Sequence, residues 1–278
     1  MDVGHPVSSP IGCRVREVQQ LTKIEAPAPR FAQIADVLRD RIQRHVYAPG
    51  APLPSEPELS TEFHVSRVTI NRAVGLLRGE GLVRVHRGRG TFVRAIPVIT
   101  RHATTRFQAR EQGRGAFDVE IRALGLEPAH EVVVDRVPAS ERAAGLLEVQ
   151  VGDELVVRRR KFYAGDVPVQ LADSYLPAEL AEKARVTEPE TGHGGTYSRL
   201  ADVGHAPVHF VEDVTCRGAT AAEAAFLDLE PNQPVLEVLL VAADSSDQPV
   251  SLTQHVMAGQ QWQLRYEWRD DVYEPTDA

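Results

Sequence analysis

Arg67 and Asn71 stand four residues apart, one helical turn, so on a helix both side chains project from the same face. The pair carries the groups that match base edges: a guanidinium can fork onto guanine O6 and N7, and a carboxamide onto adenine N6 and N7. Ser55, Ser66 and Thr69 bring hydroxyls suited to phosphate oxygens, contacts that position a protein on a duplex without selecting its sequence. Arg72 adds a cation beside them. Farther on, Arg87-Gly88-Arg89-Gly90-Thr91 sets two arginines on a turn whose glycines permit close backbone approach, which suits the narrow minor groove. A second set lies beyond. Arg158, Arg159 and Arg160 are consecutive, and on a strand Arg158 and Arg160 share one face while Arg159 takes the other. Two guanidiniums side by side make a receptor for an anion, although on charge alone they could equally be a solvated ion-pair face.

The charge distribution separates these two sets. The chain of 278 residues carries a net −8, yet residues 28 to 95 hold 11 Arg and no Lys against 6 acidic residues, a local +5 that leaves −13 for the remainder. A compact basic module on an acidic body can dock on phosphates while the body stays off the duplex. No apolar run approaches the roughly 20 residues needed to span a bilayer, and no secretory signal pattern opens the chain, so the expectation is a cytoplasmic, nucleoid-associated protein without a membrane partner. Cys13 and Cys216 are far apart and read as reduced thiols. His205 and His209 have a metal-like spacing but fall across a loop and a strand, so no metal site is expected. No phosphate loop, nucleophile elbow or metal-binding helix motif appears, and neither catalysis nor a cofactor is expected.

The elements that must hold the first set follow from periodicity. Phe31, Ile34, Ala35, Val37, Leu38 and Ile42 recur at helical spacing up to Pro49-Gly50. Leu53-Pro54-Ser55-Glu56-Pro57-Glu58 predicts a helix start in which Ser55 and Glu58 form a capping box, running to about Phe63. Ser66 then caps a third helix that buries Ile70, Ala73, Val74 and Leu77. Leu82–Val85 and Thr91–Val93 read as two short strands joined by the Gly-rich turn, a wing. Residues 1–27 read as a mobile tail, 28–95 as a winged helix-turn-helix, 96–115 as a linker and 271–278 as a second tail. Residues 116–270 read as an α+β domain around an antiparallel sheet, with strands near 131–137, 154–163, 167–175, 208–216, 235–242, 250–257 and 263–268 and helices near 140–147, 196–203 and 220–227. Trp262 and Trp268 are expected to pack the last strand.

The ordered set Leu53-Pro54-Ser55-Glu56, Val65-Ser66-Arg67-Val68-Thr69-Ile70, Glu80-Gly81-Leu82-Val83 and Arg87 through Val93 resembles the signature of GntR-type regulators over the whole of Phe31 to Val93. Two positions depart from it: Pro57 and Asn71 stand where the family usually has arginines, so the family's usual operator sequence does not carry over. The segment from about Phe117 to Trp268 resembles the ligand-sensing UTRA domain of the HutC subfamily, which shares its fold with chorismate lyase. The resemblance rests on Glu154 through Arg160, Val167-Pro168-Val169-Gln170, Ser174 through Pro177, Tyr197 with Leu200, and Ala219 through Glu223. It implies that Arg160 faces a ligand, with Arg158 beside it, that Ser174 donates to the ligand and that Tyr197 covers it, although Tyr197 also reads as core. Ala172 and Ser251 replace glutamates common in such pockets, so a phosphosugar effector is not implied. The combined expectation is a homodimeric repressor of a palindromic double-stranded operator, switched by a small and anionic effector. The rival readings are an effector-independent regulator and, through the lyase fold, an enzyme; a shared fold does not carry activity.

Overall fold

The computed structural model describes residues 28–86, 88–103, 115–192, 194–229 and 233–268. The expected tails over 1–27 and 271–278, Cys13, Arg87 and residues 104–114 of the expected linker lie outside these.

Helix α1 (Arg30–Gln43) buries Ile34, Ala35, Leu38 and Ile42 along one stripe. Helix α2 (Glu56–Glu62) begins on the capping box: Ser55 Oγ accepts from the Glu58 amide, and the Ser55 amide donates to Glu58 Oε2 at 2.7 Å. Pro57 fits there because first-turn amides need no partner within the helix. Helix α3 (Arg67–Gly79) is capped by Ser66, whose Oγ accepts from the Thr69 amide at 3.3 Å. Its Ile70, Ala73, Val74 and Leu77 meet Leu38 of α1 and Leu59 of α2 in one core. Strands β1 (Val83–His86) and β2 (Gly90–Val93) pair antiparallel to form the wing, and residues 51–53 lie along β2 through the Leu53 amide to Thr91 O at 2.7 Å.

The rest of the chain runs β3 (Ile99–His102), α4 (Ala116–Arg122), β4 (Pro128–Pro138), α5 (Glu141–Leu147), β5 (Glu154–Ala164), β6 (Val167–Pro177), α6 (Ala178–Lys183), α7 (Gly195–Asp202), β7 (His209–Gly218), α8 (Ala221–Leu227), β8 (Pro234–Ala243), β9 (Pro249–Ala258) and β10 (Trp262–Arg265). Six of the strands form an antiparallel sheet in the order β4-β5-β6-β9-β8-β7. One register row crosses it as Val134, Arg158, Ser174, Thr253, Leu240, Glu212, and the next as Val132, Arg160, Ala172, His255, Val238, Val214. Both rows point to the same, inner face, because side chains alternate along a strand and only every second residue shares a side. That face is covered at one end by α4, β3 and β10 through Ile99, Phe117, Ile121 and Trp262. At the other end Ala181, Val186 and Leu200 cover it. On the outer face α5 packs on Leu155, Leu239 and Leu252, and α8 on Val235 and Val256.

Three expectations need correction. The segment read as linker is already structured at 99–102, where β3 pairs in parallel with β10. A four-residue strand whose partner lies so late in the chain leaves no local turn signal. Helices α4 and α6 are not among the expected elements: they start at Gly115 and Pro177 without a capping side chain, so unlike the equally short α2, α5 and α8 they leave no start signal in the sequence. Trp262 is buried and donates to Val169 O at 2.8 Å, but Trp268 is 78% exposed because β10 ends at Arg265.

The wing and the end of α3 rest on the larger domain. Gln233 Nε2 donates to Arg78 O at 2.6 Å and Gln260 Nε2 to Gly79 O at 3.1 Å, so two carbonyls at the C-terminus of α3 are satisfied from outside their own module. Arg94 bridges the two sides, donating to Gly81 O at 2.6 Å and Gln260 O at 2.7 Å. Its guanidinium is half-buried there, and desolvation lowers its pKa. Arg84 pairs with Asp228 at 3.4 Å. Gly81, at φ +66°, sits at the centre: a Cβ there would lie 2.7 Å from Arg94 Nη2 and 2.8 Å from Gln260 Cβ.

Candidate nucleic-acid interface and ligand site

The outer face of α3 presents Arg67, Asn71 and Arg72, all exposed, with Thr69 half-buried between them and the Ser66 cap. Among the described residues neither the Arg67 nor the Arg72 side chain makes a hydrogen bond or ion pair within the chain. The contrast with α1 is informative. Arg39 is held by Asp36 and Glu80, Arg41 by Glu62 and Arg44, at the end of the helix, by Asp40, so three of the four cations on that element are already neutralised and only Arg30 at its start is not. Among the described residues the remaining uncompensated positive charge gathers on α3 and at Arg89 of the wing. Asn71 differs from its neighbours: its Nδ2 donates to Glu56 Oε1 at 2.9 Å, which fixes the amide plane and occupies one donor. Ser55 is exposed at the start of α2, and its bond to Glu58 lowers that carboxyl's pKa. Ser66 Oγ and Thr69 Oγ1 lie 2.9 Å apart. In the wing, Gly88 at φ +76° and Gly90 at φ +110° turn the chain, and a Cβ at either would meet open space. Left-handed backbone therefore makes glycine fit there, and close packing plays no part. Arg89 lies over the Phe92 ring at 5.9 Å.

The inner face of the sheet carries an unusual amount of buried polarity. Gln170, Ser174, Ser251, Thr253 and His255 are all buried there. Arg160 Nη2 donates to Ser174 Oγ at 2.5 Å, and Ser174 Oγ lies 2.7 Å from Thr253 Oγ1. The Arg160 guanidinium also stacks over Phe162 at 5.5 Å, while Gln170 and His255 contact each other at 3.2 Å. Arg158, on the same face, spends its donors differently. Its Nη1 bonds Val186 O at 2.7 Å and Glu188 O, and its Nη2 bonds Pro189 O at 2.7 Å, so it anchors the loop that leads into α7. Tyr197 packs beside Phe210, and Ser251 Oγ donates to its hydroxyl at 3.5 Å. Arg160, Ser174 and Tyr197 thus line one face, with Thr253, His255 and Gln170 added. The strict alternation Ser251-Leu252-Thr253-Gln254-His255 was the signal that marks the added β9 residues. His205 pairs with Asp244 at 2.8 Å and His209 with Asp247 at 3.4 Å. Among the described residues no group of three or more potential ligands could hold a metal ion, and no helix is long and apolar enough to cross a membrane.

Known proteins align with both parts. The model for bacterial regulatory proteins of the gntR family matches residues 31–93, and the UTRA domain model matches residues 123–263. An uncharacterized HTH-type transcriptional regulator of Streptomyces coelicolor is 30% identical, over 90% of this chain and 95% of its own length. The histidine utilization repressor of Pseudomonas aeruginosa is 31% identical over 76% of this chain and 80% of its own. Among solved structures, PhnF from Mycobacterium smegmatis superposes with a TM-score of 0.55 at 25% identity, covering 86% of this chain and all of that one. With an α3 face and wing set for a duplex at one end, and a sheet bearing a buried polar patch at the other, the chain belongs to the gntR family of bacterial regulatory proteins, in the HutC-type branch that carries a UTRA domain.

Proposed function

We propose that this protein is a cytoplasmic transcriptional repressor that binds a palindromic operator as a homodimer and changes its grip on DNA when a small anionic effector occupies the inner face of the sheet. The observation that carries the DNA reading is the pair of unpartnered arginines, Arg67 and Arg72, on a capped helix whose neighbouring cations are neutralised. Arg67 and Asn71 read bases in the major groove. Ser55, Ser66 and Thr69 hold phosphates, and Arg87, Gly88, Arg89, Gly90 and Thr91 bring the wing to the minor groove. The names of relatives support the repressor reading, since the NagR protein of Bacillus subtilis and the histidine utilization proteins are called repressors. In the effector site Arg160 and Ser174 are the anion contacts, Tyr197 closes over them, and Arg158 holds the covering loop in place.

The effector needs only to bind one arrangement of the two modules better than the other, and DNA then weakens effector binding by the same factor. The test is a mobility-shift titration on duplexes selected from a random pool. Arg67→Ala is expected to lose about 10- to 100-fold in affinity for the selected sequence, the loss of one bidentate base contact, while its melting temperature is unchanged. Equal affinity of the variant and the parent would overturn the assignment of α3 as the reading element. Sedimentation of the free protein checks the dimer.

A further inference from the structure

The effector site as proposed above is built from the sheet and α7, but one more side chain bears on it. Arg101 belongs to β3, the strand that directly follows the wing, and it is 1% exposed. It forms an ion pair with Glu212 of β7. That pair engages Nη2. Nε and Nη1, both buried, have no hydrogen-bond partner.

Buried donors are nearly always satisfied, and each exception calls for a cause, an absent ligand being one. A strut between β3 and β7 does not supply that cause. A lysine could pair with Glu212 as a point charge, whereas a guanidinium brings a fixed fork of five donors whose surplus must go somewhere. Glu212 stands in the register row that continues through Leu240, Thr253, Ser174 and Arg158. Two strand spacings, about 10 Å, separate Glu212 from Thr253, and Arg101 meets the row at its Glu212 end. The row therefore has a cation near each end, Arg160 from the next row bonded to Ser174 and Arg101 paired with Glu212, with Thr253 and Leu240 between them.

We propose that Arg101 is a ligand-binding residue, the second pole of the effector site, and that it takes an acceptor oxygen of an effector with acceptor groups at both ends and an anion at one or both. This rests on the proposed effector site and adds a regulatory consequence: the ligand is gripped by the strand that leads straight out of the wing, so occupancy acts on the DNA-reading module without passing through the six-stranded sheet.

Inorganic phosphate is the probe, added to the full-length protein labelled with nitrogen-15 arginine, with the Nε–H resonances of Arg101 and Arg160 assigned from variants. Arg101→Lys keeps the charge opposite Glu212 and removes the fork. Should that variant not fold, the double change Arg101→Gln with Glu212→Gln removes both charges together. Phosphate is expected to shift the Arg101 resonance, and Arg101→Lys is expected to weaken phosphate binding at that pole about tenfold with little change in melting temperature without phosphate. If the Arg160 resonance moves while that of Arg101 stays fixed, or if Arg101→Lys binds phosphate as the parent does, this inference fails and the effector site stands. If neither resonance moves, both fail.

Discussion

At the scale of single residues, the reading face is defined as much by which charges are spent as by which are present. Arg39, Arg41 and Arg44 answer carboxylates on their own module, and Arg67 and Arg72 answer none. Asn71 is the exception, tied to Glu56. That carboxylate stands at the edge of the face and repels phosphate. Replacing Glu56 with Gln keeps an acceptor for Asn71 and removes the charge, so affinity for any duplex should rise a few-fold at low salt. The gain should vanish as ionic strength screens it, a difference that fluorescence anisotropy across a salt series can read. Arg67, Ser66 and the wing glycines were legible in the sequence because their partners are local. The role of Arg158 was not. Its partners are carbonyls of residues 186 to 189, and backbone carbonyls have no signature in a sequence, so three adjacent arginines looked equivalent when their surroundings make one an anchor, one a surface ion pair and one a donor to Ser174 in the buried polar patch.

At the scale of elements, caps and alternation explain most of what could be read. Ser55, Ser66, Ser140 and Thr220 each accept an amide at the start of a helix, and the long strands declared themselves through their alternation. What escaped were the pieces with neither a capping side chain nor a neighbouring partner, α4, α6 and β3, which bury Ile99, Phe117, Ile121 and Ala181 against distant strands. Helix α8 makes a pH prediction. Thr220 and Arg217 hold the Glu223 carboxyl down to about 2, with the bonds from Arg217 at 2.7 and 2.8 Å dominant. A depressed carboxyl contributes stability that is fully present above its unfolded pKa, near 4.5, and is lost as pH falls toward 2. Denaturant melts between pH 6 and 2.5 should show Glu223→Gln losing about 2 kcal/mol at the upper end and converging on the parent at the lower. Gly81→Ala should cost about 1 to 3 kcal/mol, because it adds left-handed strain at φ +66° to a contact of 2.7 Å with Arg94; calorimetry checks this.

At the scale of the whole molecule, two modules with separate cores are joined by more than a tether. Gln233, Gln260 and Arg94 clasp the end of α3 to the β8 and β9–β10 region of the sheet domain, and β9 also carries Thr253 and His255 of the buried polar patch. The double change Gln233→Ala with Gln260→Ala leaves both cores intact and removes the two glutamine bonds of the clasp, so differential scanning calorimetry is expected to resolve two transitions in the variant and one in the parent. A single transition in the variant would mean that the clasp does not couple the modules. Sequence periodicity outlined both modules but could not reveal this contact, since glutamines in turns look like ordinary surface polarity.

The pairing of β3 with β10 has a mechanical meaning. The two strands run parallel, Ile99 beside Trp262 and His102 beside Arg265. A pull from the wing along the chain therefore loads this short ladder in shear, with its hydrogen bonds sharing the force, instead of peeling them one at a time. The base of the connection is thus held along its length, and only residues 94–98 separate it from the wing, so a displacement of β3 has a short path to that module.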